Sequence, residues 1–242
     1  MKVTVIIPAA GLGTRMVSAA RARGKKTPPS KQFTDLRGTP ILIRTLRAFA
    51  AHPRVDEIVV VLRKDEIAGF QSRLEKDEKS TLSKKVSLVA GGEHRQDSVA
   101  NGLNSLRGAP DDIVLVHDAV RPFVTAEMID EVISAAEKSG AAIAGLPAVD
   151  TIKQVERTAE GAIITATIPR ERLVQAQTPQ GFRYSVIKKA FDDATADGFV
   201  GTDEASLAER AGYPVVVVMG SARNIKITTP ADMDLAEFYL GK

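Results

Sequence analysis

A loop of small residues flanked by cations is the first feature of this sequence that could do chemistry. The segment Pro8–Met16 reads Pro-Ala-Ala-Gly-Leu-Gly-Thr-Arg-Met, with Arg15 at its tip, and Lys31 follows within Ser-Lys-Gln. Small side chains let backbone N–H groups approach a ligand closely, and several such donors in a row form a cradle for phosphate. Cations on either side would stabilise the charge that builds when a phosphorus atom is attacked. The pattern therefore indicates a triphosphate site.

The glycine loop alone is weak support, because any tight turn from a strand into a helix uses the same residues. It departs from the dinucleotide fingerprint G-x-G-x-x-G, since Met16 stands where the third glycine would be. It also lacks the G-K-[ST] ending of the Walker loop. The following segment, Val17–Ser30, is basic and contains no acid, and its simplest interpretation is a solvated loop.

A second cluster, His-Asp-Ala-Val-Arg-Pro, follows the apolar run Ile113–His117. A carboxylate beside a triphosphate is hard to justify without a cation, so Asp118 is a candidate ligand for Mg²⁺. The alternative is that Asp118 caps a turn. Arg121 either grips a substrate phosphate or forms a surface salt bridge. His117 is expected to support the turn, because no two of the three histidines have the spacing of a metal site.

The elements that must position these residues are strands alternating with helices. Runs rich in β-branched residues, typical of buried parallel strands, occur at Val3–Ile7, Glu57–Leu62, Val86–Ala90, Ile113–His117, Ala141–Leu146 and Val215–Met219. Helical spacing occurs at Pro40–His52, Ser98–Leu106 and Thr125–Lys138, the last with Thr125 as N-cap. This alternation predicts an α/β fold with a mostly parallel sheet and helices on both faces. Ligands of such sheets bind beyond the carboxyl ends of the strands.

One region breaks the alternation. Thr151–Val155 and Ile164–Ile168 alternate apolar and polar side chains around Thr-Ala-Glu-Gly, which predicts a β-hairpin projecting from the sheet. Because a two-stranded arm is marginally stable by itself, we expect it to pack on something such as a second subunit.

Composition excludes several classes of function. The 242 residues include no cysteine, so disulfides, thiolate zinc sites and cysteine nucleophiles are absent. A net charge of +3 and 5% aromatic residues without Trp argue against a nucleic-acid partner. No apolar run approaches the roughly 20 residues that span a bilayer, and the first residues do not resemble a signal peptide. We therefore expect a cytoplasmic protein without a membrane partner.

A series of motifs in a fixed order carries a family resemblance. The loop A-A-G-x-G-x-R-M and Ser-Lys-Gln resemble nucleotidyltransferases that couple a nucleoside triphosphate to a phosphorylated alcohol. Gly-Gly-Glu-His-Arg-Gln-Asp-Ser-Val (91–99) and His-Asp-Ala-Val-Arg-Pro (117–122) resemble segments of the 2-C-methyl-D-erythritol 4-phosphate cytidylyltransferases. Asp-Thr-Ile-Lys (150–153), Gln-Thr-Pro-Gln (177–180), Thr-Asp-Glu-Ala (202–205) and Asn-Ile-Lys-Ile-Thr (224–228) match the same family in order.

The resemblance implies a single Rossmann-like domain over residues 1–242 and a homodimer, with an arm at about 148–171 that reaches the partner's site. It implies transfer of CMP from CTP to the polyol phosphate, with Mg²⁺ held at Asp118. The residues that would act on the phosphates are Arg15, Lys31 and Lys226. Those near the nucleotide are Ala9, Ala10, Gly11, Gly13, Thr14, Gly92, Arg95 and Ser98. Those near the acceptor substrate are Asp118, Arg121, Thr151, Arg170 and Thr178.

For several of these residues an interpretation without function stays open. Ser98 is suited to be an N-cap, and Thr151 and Arg170 suit an exposed strand with ordinary polar alternation. Lys226 lies between two isoleucines, so on a strand its side chain would point opposite to theirs.

Three rival functions remain. One is the same chemistry on another polyol phosphate, such as ribitol 5-phosphate. Another is a nucleotide-sensing module without catalysis, which the joint presence of three cations disfavours. The last is an NAD-dependent oxidoreductase, which the missing third glycine disfavours.

Overall fold

The computed structural model describes residues 1–11, 30–76, 82–159 and 161–241. The predictions for Gly13, Thr14 and Arg15, and nearly all of the basic loop 17–30, therefore lie outside the described residues.

The described residues contain strands and helices in alternation. The strands are β1 (Val3–Pro8), β2 (Asp35–Leu36), β3 (Thr39–Pro40), β4 (Glu57–Leu62), β5 (Val86–Ala90), β6 (Ile113–Val116), β7 (Ala141–Pro147), β8 (Ile152–Thr158), β9 (Gly161–Ile168), β10 (Val174–Arg183) and β11 (Val216–Met219). The helices are α1 (Ile41–Ala50), α2 (Lys64–Lys76), α3 (Leu82–Lys85), α4 (Arg95–Asn104), α5 (Ala126–Ser139), α6 (Tyr184–Ala196), α7 (Glu204–Arg210) and α8 (Pro230–Leu240). Short 3-10 turns occupy Lys31–Phe33 and Arg170–Arg172.

Seven strands form the central sheet in the order β11-β7-β10-β6-β1-β4-β5. All neighbouring pairs are parallel except those of β10, which runs antiparallel to both β6 and β7. The prediction of a mostly parallel sheet is confirmed, and β10 is the strand that the sequence pattern missed. Its reversed direction places its first half beside the carboxyl ends of its neighbours.

Helices cover both faces of this sheet, as predicted. Alternate residues of β1 face opposite ways, so Val5 and Ile7 pack with α1, α2 and α5, whereas Ile6 packs with α4, α6 and α7. Thr125 is the N-cap of α5, as its position predicted, because its Oγ1 accepts a hydrogen bond from Met128 N at 3.3 Å. A third apolar cluster joins Leu36, Ile41, Val120 and Ile227 beneath α8. None of the helices in the described part of the chain combines the length and apolar character that crossing a bilayer requires.

The predicted hairpin is confirmed. Strands β8 and β9 pair antiparallel with each other in a separate two-stranded sheet. Nearly all of their residues are exposed, including the large apolar side chains of Val155, Ile163 and Ile164.

The strand expected around Lys226 is wrong. Residues 225–228 belong to no strand, so individual hydrogen bonds and side-chain packing hold the segment in place. Ile227 N donates to the Val120 carbonyl oxygen at 3.0 Å, and the Ile227 side chain is buried in the cluster beneath α8. Lys226 is therefore positioned by tertiary contacts and not by a sheet ladder.

Candidate active site

A cavity lies beyond the carboxyl ends of β1, β5 and β6, where a mostly parallel sheet is expected to bind ligands. Five segments that are distant in sequence line it: the loop after β1, the 3-10 turn at Lys31, the turn leading into α4, the stretch around Asp118, and Lys226. Its lining in the described part of the chain is Pro8, Ala9, Ala10, Gly11, Lys31, Gln32, Gly92, Glu93, His94, Arg95, Ser98, Asp118, Ala119, Val120 and Lys226.

Backbone hydrogen bonds hold the loop after β1 and the turn leading into α4 against β4. Ala9 N donates to the Val61 carbonyl oxygen at 2.7 Å, and Gly91 N donates to that of Leu62 at 2.7 Å. The buried side chain of Gln32 adds a third tie, because its Nε2 donates to the Ala9 carbonyl oxygen at 2.7 Å. The turn that carries Lys31 is thus fixed to the small-residue loop, and both face the cavity.

Two glycines allow the close approach of these loops. A Cβ at Gly91 would lie 2.5 Å from Ala10 Cβ, and one at Gly92 would lie 2.3 Å from Asp97 Cβ. Both distances are shorter than any side chain tolerates, so the loop before α4 requires glycine at both positions.

The alternative interpretation of Ser98 as an N-cap is wrong, because α4 begins three residues earlier, at Arg95, with His94 as its N-cap. Ser98 is buried within the first turn, where its Oγ donates to the His94 carbonyl oxygen at 3.0 Å and accepts from Gly92 N at 3.2 Å. Ser98 therefore shapes the turn at Gly92 and also lines the cavity.

Asp118 lies at the centre of a cluster of cations. Its Oδ2 is 2.9 Å from Lys226 Nζ and 3.3 Å from Arg121 Nε, and its Oδ1 is 3.6 Å from Arg95 Nε. The Asp118 side chain is 9% exposed, so these charges interact through little water. Burial by itself would raise the pKa of Asp118, but Lys226, Arg95 and Arg121 together hold it well below its usual range.

The interpretation of Asp118 as a simple turn cap does not describe these contacts. Its backbone N donates to the buried Oγ1 of Thr178 at 3.1 Å, and its carboxylate faces the cations. Thr178 lies behind Asp118 and is not among the described residues that line the cavity.

Arg121 does form an ion pair, but its side chain is only 12% exposed, so the surface salt bridge considered from the sequence is not what forms. Its Nη1 donates to the Asn224 carbonyl oxygen at 2.6 Å. Arg121 is thereby fixed between Asp118 and the segment that carries Lys226.

Arg95 is shared between two carboxylates. Its Nη1 and Nη2 donate to Glu204 Oε1 and Oε2 at 2.7 and 3.0 Å, while its Nε faces Asp118. Burial raises the pKa of Glu204, and Arg95 opposes that shift. Because Glu204 takes the guanidinium terminus, the Nε edge of Arg95 is the one that faces Asp118.

His117 is completely buried, and its Nε2 lies 3.0 Å from the Arg121 carbonyl oxygen, which agrees with its predicted role in supporting the turn. Burial lowers the pKa of His117 to about 4, so the ring is neutral at pH 7 and donates to that carbonyl group.

Of the three predicted catalytic cations, Lys31 and Lys226 line the same cavity although 195 positions separate them in the sequence. Of the predicted nucleotide-binding residues, Ala9, Ala10, Gly11, Gly92, Arg95 and Ser98 also line it.

Thr151 and Arg170 lie elsewhere, at the base of the hairpin. Both are exposed, and Arg170 Nη1 donates to the Val149 carbonyl oxygen at 2.7 Å. Neither is among the described residues that line the cavity of their own chain.

Several residues of the site were missed by sequence reasoning. Gln32, Glu204 and Asn224 all lie in motifs noted in the sequence. In each motif, only the neighbouring residues were considered as functional candidates. In the Thr-Asp-Glu-Ala motif, Asp203 is the N-cap of α7. For Gln32 and Asn224, the available signal was a polar residue that shares a short motif with a lysine.

Comparison with known proteins identifies the family of the chain. The family model of 2-C-methyl-D-erythritol 4-phosphate cytidylyltransferase matches residues 3–242. A protein of that name from Acidobacterium capsulatum is 58% identical over 241 residues, covering 99% of this chain and 98% of the relative. One from Solibacter usitatus is 50% identical over 242 residues, covering 99% and 96%.

Solved structures give the same result. The 2-C-methyl-D-erythritol 4-phosphate cytidylyltransferase of Francisella tularensis is 34% identical, covers 98% of this chain and 99% of its own, and superimposes with a TM-score of 0.78. That of Thermus thermophilus is 33% identical, covers 100% of both chains and gives 0.76. The resemblance inferred from the motifs is confirmed, and the chain belongs to the 2-C-methyl-D-erythritol 4-phosphate cytidylyltransferase family.

Proposed function

We propose that this protein transfers CMP from CTP to 2-C-methyl-D-erythritol 4-phosphate and releases pyrophosphate. The observation that carries the proposal is the meeting of Lys31 and Lys226 in one cavity with the small-residue loop and Asp118. A family member with this set of groups has the parts that phosphoryl chemistry needs, which are cations, backbone donors and one carboxylate.

The nucleophile is a phosphate oxygen of the acceptor, which is already ionised at neutral pH. It forms a bond to the α-phosphorus of CTP as the bond to the bridging oxygen breaks, and the electron pair leaves with pyrophosphate. No side chain has to remove a proton, which fits a site whose buried histidine is neutral and turned towards Arg121. Catalysis is then alignment and charge neutralisation by Arg15, Lys31 and Lys226.

CTP is held by the two loops that meet in the cavity. Backbone groups of Ala9–Gly11, with Gly13 and Thr14, would bind the phosphates, and the turn containing Gly92 and Ser98 would bind the nucleoside. A cytosine site rejects other bases when its donors and acceptors would be left unpaired. Arg95 would act at this site through its Nε edge, since Glu204 holds the rest of its guanidinium group.

Magnesium fits the donors that are present. The described residues contain no group of three or more acidic or histidine side chains that would enclose a metal by themselves. Mg²⁺ is commonly bound through one or two carboxylates and the phosphates of a nucleotide, and Asp118 supplies one ionised carboxylate in the cavity. When bound, the ion would neutralise charge on the phosphates.

The acceptor would lie near Asp118, Arg121 and Thr178 of one subunit and near Thr151 and Arg170 of its partner. The exposed positions of the last two residues, away from the cavity of their own chain, support this division between subunits. The exposed apolar side chains of the hairpin support a homodimer through this arm.

The function is tested by measuring pyrophosphate release from CTP with a panel of acceptors. We expect release with 2-C-methyl-D-erythritol 4-phosphate, little with ribitol 5-phosphate, and loss of activity with EDTA that Mg²⁺ restores. Binding of CTP without release under all conditions would favour the nucleotide-sensing module. A preference for ribitol 5-phosphate would favour the other polyol reaction.

The role of Lys31 predicts a large effect on turnover. Lys31→Ala removes a cation that stabilises charge growing around the α-phosphorus, so kcat should fall about 10²-fold. Steady-state pyrophosphate release and circular dichroism would check the rate and the fold. A folded variant with the turnover of the parent protein would refute the role.

A further inference from the structure

Asn224 is a buried polar residue that the proposed mechanism does not use. It stands two positions before Lys226, and it is fully enclosed. Its Nδ2 donates to the Thr178 carbonyl oxygen at 2.9 Å and to Gln177 Oε1 at 3.2 Å. Because a buried backbone acceptor that loses its donor is costly, these bonds fix Asn224 to the first half of β10.

Asn224 also closes a ring of contacts around the carboxylate. Asp118 N donates to the Thr178 hydroxyl group, and the Asn224 side-chain amide donates to the Thr178 carbonyl oxygen. Arg121 then donates to the Asn224 backbone carbonyl oxygen and to Asp118 Oδ2, which closes the ring. Moving any one member of a closed ring breaks contacts on both of its sides. Asn224 therefore fixes the segment that carries Lys226 relative to both β10 and Arg121.

Lys226 is held on both flanks as a result. Asn224 anchors the chain before it, and Ile227 anchors the chain after it through the bond from Ile227 N to the Val120 carbonyl oxygen. Its own backbone belongs to no strand or helix, so these two anchors fix the base of a long and flexible side chain. The ammonium group then lies 2.9 Å from Asp118 Oδ2.

We infer that Asn224 is a positioning residue that holds Lys226 and Arg121 in place for the transfer reaction. The inference rests on the proposed function, which gives Lys226 its work in the transition state. Asn224 is not among the described residues that line the cavity, so it acts through its neighbours.

The test compares Asn224→Ala and Asn224→Leu in the full-length chain. Leu has the same branched shape as Asn but lacks the amide donors and adds no buried charge, so it carries the test if the Ala variant does not fold. Both should lower kcat at least about tenfold, because a misplacement near 1 Å can cost about 10²-fold. The KM for CTP should stay within about threefold, since losing an interaction made only in the transition state lowers kcat and kcat/KM together.

A purely structural role would leave kcat per folded molecule unchanged. Ser139→Ala is a matched control, since the Ser139 hydroxyl group donates to the carbonyl oxygens of Ala135 and Ala141, at the amino end of β7 and away from the cavity. Its kcat should equal that of the parent protein. Circular dichroism and thermal unfolding establish that each variant is folded.

A double-mutant cycle with Lys226→Ala assigns the effect to Lys226. In that background, Asn224→Ala should lower the remaining kcat by less than about threefold, measured by release of labelled pyrophosphate. A folded Asn224 variant with full kcat would overturn the inference alone, provided that Lys226→Ala is impaired. A Lys226→Ala variant with full kcat would overturn both the inference and the catalytic role of Lys226.

Discussion

At the scale of single residues, one carboxylate organises the cations of the site. Lys226, Arg95 and Arg121 would repel one another at these distances, and Asp118 offsets that repulsion from a buried position. Glu204 adds a second buried negative charge against Arg95. Each of these three cations therefore faces a carboxylate, and the cluster keeps a net positive charge.

His117 makes the stability of the protein depend on pH. Its pKa is about 4 in the folded protein and about 6.5 in the unfolded chain, so the unfolded state binds the proton first as pH falls. The contribution of the neutral ring is fully present above pH 6.5 and is lost as pH falls towards 4. We expect the free energy of unfolding to fall by about 2 kcal/mol from this group between pH 7 and 4.5.

Urea unfolding of the parent protein and of His117→Gln at several pH values measures this dependence. Gln cannot titrate and keeps an N–H donor, so its unfolding free energy should fall less between pH 7 and 4.5. Equal slopes in the two proteins would contradict the assignment to His117.

At the scale of elements, the turn into α4 depends on close packing between Gly92 and the first turn of the helix. A Cβ at Gly92 would lie 2.3 Å from Asp97 Cβ, and the Asp97 carboxylate accepts from His94 N at 2.9 Å. Gly92→Ala should displace Asp97, destabilise the protein by about 1–3 kcal/mol and weaken CTP binding about tenfold. Calorimetric titration with CTP and thermal unfolding measure both effects.

The matched control is Gly69→Ala in α2, where a Cβ would meet nothing within 4 Å. Ala is favoured over Gly in a helix, so this change should raise stability by about 0.5–1 kcal/mol and leave CTP affinity unchanged. If Gly92→Ala behaves like this control, the close-packing argument fails.

At the scale of the whole molecule, the hairpin predicts assembly. Val155 and Ile164 are directly opposite each other on β8 and β9, and their exposed fractions are 46% and 60%. An isolated two-stranded arm with exposed apolar residues is marginally stable, so a second subunit is expected to cover it. Ile164→Lys should therefore yield a monomer by light scattering. Its turnover should fall as well, because in the proposed dimer Thr151 and Arg170 would no longer reach a partner's site.

Glu156→Gln changes an exposed residue that neighbours Val155 and points to the other side of the hairpin, and it should keep the parent mass and rate. A dimer that survives Ile164→Lys, or a parent protein that is already monomeric, would rule out the arm as the interface.

The sequence by itself predicted the class of the fold and most strands of the central sheet. Apolar runs predicted β1, β4, β6 and β7 to within one residue at either end, because a strand buried on both faces requires apolar side chains throughout. The edge strand β5 was also predicted, although its residues are only half-buried or exposed. The rule that ligands bind beyond the carboxyl ends of strands then placed Asp118 and the small-residue loop at one edge. These inferences depend on local periodicity, which a single sequence displays.

Tertiary structure decided the rest. Strand β10 has Gln177, Thr178 and Pro179 at its centre, so its pattern is not that of a buried strand, and only its neighbours place it inside the sheet. The pair of Arg95 with Glu204 joins residues 109 positions apart, and that of Arg121 with Asn224 joins residues 103 apart. Periodicity is a local property of the chain, whereas the position of a catalytic cation depends on which distant side chains neutralise and anchor it, and folding alone determines that.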